Sequence, residues 1–182
     1  MIKILDYSKV SESEILNRNN VAVADVEATV TEILDAVRER GDAALFSYCE
    51  RFDGVTLSSL EVSPAEFDAA LEAAGEEFVR ILKRSAANIE AFHSRQKRNN
   101  FLIDGEDGVI LGQRITPIER AGLYVPGGTA SYPSSVLMNA IPAKLAGVRE
   151  IVMVTPPGSD GQVPAPILAA ARVCLLYTSR CV

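Results

Sequence analysis

Residues 122–157, "GLYVPGGTASYPSSVLMNAIPAKLAGVREIVMVTPP", decide the fold. With Ala121 in front, "AGLYV" is a short apolar strand and "PGGTASYPS" is a loop. "SVLMNAIPAKLAG" is a helix closed by Gly147, and "EIVMVTPP" is a strand of the buried, Val/Ile-rich kind. Two strands around one helix in about thirty-five residues have the size of a βαβ crossover, which requires a parallel sheet. Such units present ligands beyond the carboxyl ends of their strands, here residues 124–129 and 155–157. Gly127 and Gly128 allow close backbone approach, and N–H groups at the helix start near Ser134 and Ser135 are placed to face an anion. Pro142 lacks the N–H of a normal helical residue, so a kink or break is expected there.

The stretch lacks G-x-G-x-x-G and G-x-x-x-x-G-K-[ST], and its second strand ends in Thr-Pro-Pro where a ribose-gripping acid is expected. A dinucleotide site here is therefore atypical. Pro126-Gly127-Gly128 reads equally as a cradle or as a plain tight turn. Tyr124, an amphipathic aromatic at the strand's carboxyl end, can pack on a base or sugar while its hydroxyl reaches a polar group. Tyr132 lies in mid-loop, where sequence does not orient it.

The whole chain has 182 residues, 48% hydrophobic and 23% charged, enough for one full domain or two partial ones. Its net charge of -6 is spread along the sequence, and "KRNN" at residues 97–100 is its one basic cluster, which argues against nucleic-acid binding. No apolar run approaches the roughly 18 residues of a membrane span, so no membrane partner and a cytoplasmic location are expected. Cys49, Cys174 and Cys181 have neither CxxC spacing nor an even count, so reduced thiols are expected rather than disulfides or structural zinc.

Upstream, Val26, Val30, Ile33, Leu34 and Val37 recur at helical steps, and "RERG" supplies basic residues and a stop. "GDAALFSYCERFDG" repeats that design with Leu45, Tyr48, Cys49 and Phe52 on one face. "SPAE" is a capping box, with Ser63 and Glu66 exchanging bonds and Pro64 at the first helical position. The helix it starts is expected to be interrupted at Gly75 and to run to about Gln96. His93, the single histidine, has no second histidine or carboxylate triplet around it in sequence, so a structural or interfacial role is expected. "FLIDGEDGVILGQ" alternates β-rich runs with turn residues and reads as a hairpin.

"RITPIERAGLYVPGG" followed by "YPSSVLMNAIPAKLAGVREIVMVTPP" closely resembles histidinol dehydrogenase, as do "RERGDAALFSYCERFDG" and "ANIEAFHSRQ" upstream. The resemblance covers about residues 20–174. It implies an enzyme that oxidises L-histidinol to L-histidine through the aldehyde in two NAD-dependent steps, with one bound zinc, as a homodimer. It implies an α/β fold similar to aldehyde dehydrogenases: a helical N-terminal region plus the first βαβ unit of an incomplete Rossmann-type domain. It places Tyr124 in the NAD site. The family's zinc ligands and its Glu-His acid/base pair belong to the later part of a chain more than twice this length, so no catalytic or metal residue is expected here.

On that basis residues 1–120 are a helical region with a β-hairpin, part of a first domain. Residues 121–174 begin a truncated NAD-binding domain. "LLYTSRCV", residues 175–182, departs from the family pattern, shows no strand-turn logic, and reads as a non-native, poorly packed tail. Two expectations follow: an N-terminal piece of histidinol dehydrogenase, inactive alone, or a free-standing nucleotide-binding or interaction module on the same half-fold.

Overall fold

The computed structural model describes residues 6, 8–11, 21–127, 131–174 and 177–180. The chain divides into two compact units, Met1–Ala44 and Leu45–Val182. In the first, α1 (Val21–Arg40) ends as its sequence predicts: Arg38 and Arg40 occupy its last turn, and the Gly41 N–H donates to the Val37 carbonyl at 2.9 Å. Its apolar stripe is exposed at Val26, Val30 and Leu34.

Helix α2 (Asp42–Tyr48) leads into a single π-helical turn at Cys49–Asp53, where Tyr48 and Cys49 are buried. The long α3 (Pro64–His93) starts at the predicted capping box. Ser63 Oγ accepts the Glu66 N–H at 3.4 Å, and a Glu66 carboxylate oxygen accepts the Ser63 N–H at 2.8 Å. Two orphan donors are thereby satisfied, which stabilises such a helix by about 1 kcal/mol. Gly75 adopts φ 76° and ψ 157° inside α3, so the helix is kinked where the sequence pattern falters.

An antiparallel ribbon follows. β1 (Phe101–Asp104) pairs with β2 (Ile110–Gln113) across a short turn at Glu106–Gly108. The second sheet holds β3 (Arg120–Tyr124), β4 (Glu150–Thr155) and β5 (Tyr177–Arg180) in that spatial order, all parallel. α4 (Pro133–Leu145) crosses from β3 to β4, and α5 (Ala165–Val173) leaves β4 toward β5. The βαβ unit read from residues 122–157 is therefore present. Its first register pair, Arg120 opposite Glu150, is clasped by an ion pair at 2.8 Å.

Right-handed crossovers put α4 and α5 on one face of this sheet. Burial agrees: Val125, Ile151, Met153 and Thr155 share the covered parity, while Gly122 and Tyr124 on the other are exposed. α3 packs in turn on α4 and α5. Phe67, Ala70 and Leu82 of α3 join Val136, Leu137, Ala140, Ile167 and Met153 in one core. Each large side chain enclosed there contributes about 1.5–3 kcal/mol.

Two expectations are corrected. α4 does not break at Pro142 but continues as one helix to Leu145. The proline lies in the last turn, where the missing N–H costs a single intrahelical bond. Residues 177–180, read as lacking strand logic, form β5 against β4. An unpaired edge of β4 offers backbone donors and acceptors to whatever chain follows α5, and "YTS" suits a strand. Residues 175, 176, 181 and 182 lie outside the described residues, as does most of the N-terminal stretch before Val21.

Candidate functional site

The carboxyl ends of β3 and β4 lie side by side. Tyr124 stands opposite Val154, and the Val125 N–H donates to the Val154 carbonyl at 2.9 Å, extending the ladder by one residue. Val125 is fully buried, so strand alternation turns Tyr124 outward with 56% of its surface exposed. Beside it, Thr155 ends β4 wholly buried, and its Oγ1 has no hydrogen-bond partner among the described residues. A buried hydroxyl without a partner is costly and marks this edge as polar beneath its surface. Period-two counting from Ile151 through Met153 was the available signal for Thr155, and sequence reasoning did not use it.

The loop after β3 packs onto the loop after β4. A Cβ at Gly127 would stand 2.9 Å from Pro156 Cγ and 3.2 Å from the Pro156 carbonyl oxygen. Glycine is thus required at 127 by the protein's own packing, which answers half of the cradle-or-turn question. Gly128 lies outside the described residues. The helix start is less open to an anion than the sequence suggested: Pro133 has no N–H, and the Ser135 N–H donates to the Tyr132 carbonyl at 3.0 Å. Ser135 therefore is not a free donor. Tyr132, half exposed, precedes the helix without capping it.

His93 sits away from this edge, at the end of α3. Its Nδ1–H donates to Gln96 Oε1 at 2.7 Å, and its ring meets Phe92 edge-on at 5.2 Å. It borders a cleft of about 480 Å³ between the end of α3, the segment before β3 and the last turn of α4. Among the described residues no group of three or more His, Cys, Asp or Glu side chains is placed to hold a metal ion. No helix among them is long and apolar enough to cross a membrane. Cys49 and Cys174 are both buried, and Cys181 lies outside the described residues. Burial pushes the Cys174 thiol up to about 11, and nearby Lys144 only partly opposes this. Such a thiol is inert at neutral pH.

The family model described as histidinol dehydrogenase matches residues 16–178. This chain belongs to the histidinol dehydrogenase family. The curated histidinol dehydrogenase of Geobacillus kaustophilus is 56% identical over 142 residues, 78% of this chain and 34% of that protein. That of Lactococcus lactis is 47% identical over 183 residues, 98% of this chain and 42% of that protein. The chain thus spans well under half the length of these relatives. The crystal structure of histidinol dehydrogenase from Elizabethkingia anophelis matches with a TM-score of 0.82 at 34% identity, over 86% of this chain and 36% of that one. The α/β arrangement described above is therefore shared with a solved histidinol dehydrogenase, and the family is one of oxidoreductases of histidine biosynthesis.

Proposed function

We propose that this chain is the N-terminal part of an NAD- and zinc-dependent L-histidinol dehydrogenase. The whole enzyme oxidises L-histidinol to L-histidine through the aldehyde, as a homodimer in the cytoplasm. The observation that carries this reading is the family match across residues 16–178. In that reading residues 1–120 belong to a first domain and residues 121–174 open an incomplete Rossmann-type domain on an aldehyde-dehydrogenase-like plan.

Tyr124 binds the cofactor. Its exposed ring, at the carboxyl end of β3, is a platform for a base or sugar, and its hydroxyl adds a polar contact at the rim. NAD accepts hydride when bound, and this chain's share is to hold and orient it. Gly127 holds the loop against Pro156 and so fixes the floor beside Tyr124. Zinc does not fit the residues present, which include one histidine and no clustered ligands among the described residues. The metal and the proton acceptor belong to the rest of the enzyme.

Titration of NAD into the purified chain, followed by calorimetry, tests the role of Tyr124. Tyr124→Ala is expected to weaken binding at least tenfold, about 1.4 kcal/mol, with part of the loss recovered in Tyr124→Phe. Equal affinity in Tyr124→Ala and the parent chain removes Tyr124 from the site.

A further inference from the structure

Asp-Gly occurs four times in this chain, at Asp53-Gly54, Asp104-Gly105, Asp107-Gly108 and Asp160-Gly161, and Asn-Gly does not occur. Glycine has no Cβ to shield its amide nitrogen, so that nitrogen can reach the carboxyl carbon of the preceding aspartate and close a five-membered imide. A folded backbone blocks this wherever it holds the glycine N–H or the aspartate side chain. Three of the four pairs are held. The Gly54 N–H donates to the Cys49 carbonyl at the left-handed end of the π-helical turn, and Asp53 Oδ2 is enclosed. The Gly105 N–H donates to the Val109 carbonyl at 2.7 Å, and a Cβ on Gly105 would stand 3.1 Å from that oxygen. The Gly161 N–H donates to the Gly158 carbonyl at 2.9 Å, while Asp160 Oδ1 accepts the Gln162 N–H at 3.0 Å.

Asp107-Gly108, at the tip of the β1–β2 ribbon, is the exception. Among the described residues the Gly108 N–H makes no hydrogen bond, and the Asp107 carboxylate makes neither a hydrogen bond nor an ion pair. Both residues are exposed, and a Cβ on Gly108 would meet nothing within 4 Å beyond its chain neighbours, so the peptide has room to turn. Asp107 is also the one non-glycine residue of positive φ among the described residues, at 57°. That left-handed conformation disfavours a side chain, so little is lost when the segment turns to react.

We propose that Asp107-Gly108 is a site of spontaneous backbone modification, where the folded chain converts an aspartyl link into an isoaspartyl one. The Gly108 amide nitrogen attacks Asp107 Cγ. The N–Cγ bond forms, and the carboxyl hydroxyl leaves with the amide proton as water. Water then opens the imide: addition at Cγ restores aspartate, whereas addition at the Asp107 backbone carbonyl carbon breaks its bond to nitrogen and leaves the chain running through Cγ, one methylene longer. Nothing but water is taken up or released. The Val109 N–H donates to the Glu106 carbonyl at 3.2 Å across this link, and the Val109 carbonyl in turn holds the Gly105 N–H. Lengthening the link displaces Val109 and opens both bonds, so the ribbon loses its turn. None of this depends on the activity of the whole enzyme.

The test ages the 182-residue chain in mildly acidic buffer at body temperature, once in native buffer and once in urea, and maps isoaspartate after trypsin digestion. The tryptic peptide 99–114 contains both Asp104-Gly105 and Asp107-Gly108, so the free and the held pair are compared within one molecule. Electron-transfer fragmentation identifies the converted residue, and methyl transfer from S-adenosylmethionine by an isoaspartyl carboxyl methyltransferase counts the total. Breaking one backbone hydrogen bond of ordinary net strength slows the step by a factor of about 2–13, so Asp107 is expected to convert at least about fivefold faster than each of the other three. In urea, where no pair is held, the four rates should fall within about twofold of one another. Asp107→Gly, which suits the left-handed position, should abolish the tip signal and leave the other three rates unchanged. Hydrogen exchange at Gly105 and Val109 should be faster in the converted fraction than in the fresh chain. Conversion at Asp53, Asp104 or Asp160 as fast as at Asp107 in native buffer overturns the assignment. So does a preference for Asp107 that persists in urea, or no isoaspartate at Asp107 over a period in which the urea sample converts.

Discussion

Gly127→Ala measures how tightly the two loops at the sheet's carboxyl edge are joined. The added methyl meets Pro156 at three atoms: Cγ at 2.9 Å, the carbonyl oxygen at 3.2 Å and Cδ at 3.3 Å. A proline ring cannot swing aside and the carbonyl is backbone, so the edge itself must move. Overpacking of this kind costs about 1–3 kcal/mol. Gly127 is not among the glycines of positive φ, so no dihedral penalty is added. Gly122→Ala in β3 is the control, because a Cβ there meets nothing within 4 Å. It should be neutral or stabilise by up to about 1 kcal/mol through the unfolded chain. With a urea slope of about 2 kcal/mol per molar, Gly127→Ala should lower the midpoint by about 1 M. Pro156→Ala in the Gly127→Ala background removes two of the three clashes, and a double-mutant cycle should show coupling of about 1 kcal/mol. A Gly127→Ala midpoint equal to the parent's, or an equal loss in Gly122→Ala, refutes the close-packing account.

Leu137→Ala, at a 2% exposed position in α4, should cost about 2–5 kcal/mol in a thermal or urea melt, and a cost under about 1 kcal/mol would remove α4 from the core. Cys174, isolated by Cys49→Ser and Cys181→Ser, should alkylate slowly at pH 7.5 and accelerate only as pH rises toward about 11, because the thiolate is the nucleophile; rapid labelling at pH 7.5 contradicts its burial. On the function proposed above, the chain should form no NADH from L-histidinol with or without added zinc, since the zinc ligands and the acid/base pair would belong to the rest of the enzyme. Zinc-dependent NADH above an enzyme-free blank would disprove that.

Local chemistry made much of this structure legible. Ser63 and Glu66 announce the start of α3 because a capping box needs only four consecutive residues, and Gly75 marks its kink for an equally local reason. Leu123 and Met153 announce paired parallel strands because a short crossover leaves no other arrangement. What stayed hidden depends on partners distant in sequence. Ser135 is occupied by Tyr132 through a turn that no pattern specifies. Gly127 owes its identity to Pro156, and β5 to the open edge of β4, neither visible from within its own segment. The exposure of Leu102 and Leu111 is likewise a matter of what fails to pack on them. At the candidate site, alternation from Val125 was enough to turn Tyr124 outward, whereas the orphan hydroxyl of Thr155 needed the burial of its whole surroundings.

Lys144 near the end of α4 donates its ammonium to the carbonyl of Cys174, at the end of α5. Both helices return along the same face of a parallel sheet, so they lie like two bar magnets set the same way, like pole beside like pole. Each carboxyl pole carries about half a negative charge. One lysine head, bound to the carbonyl at the end of α5, acts as the keeper. Lys144→Met keeps a side chain of similar length and removes the keeper, so the first movement it permits is a splaying of the two helix ends. β5, the next strand after α5 and paired to β4, is the one that such a splaying would unhitch.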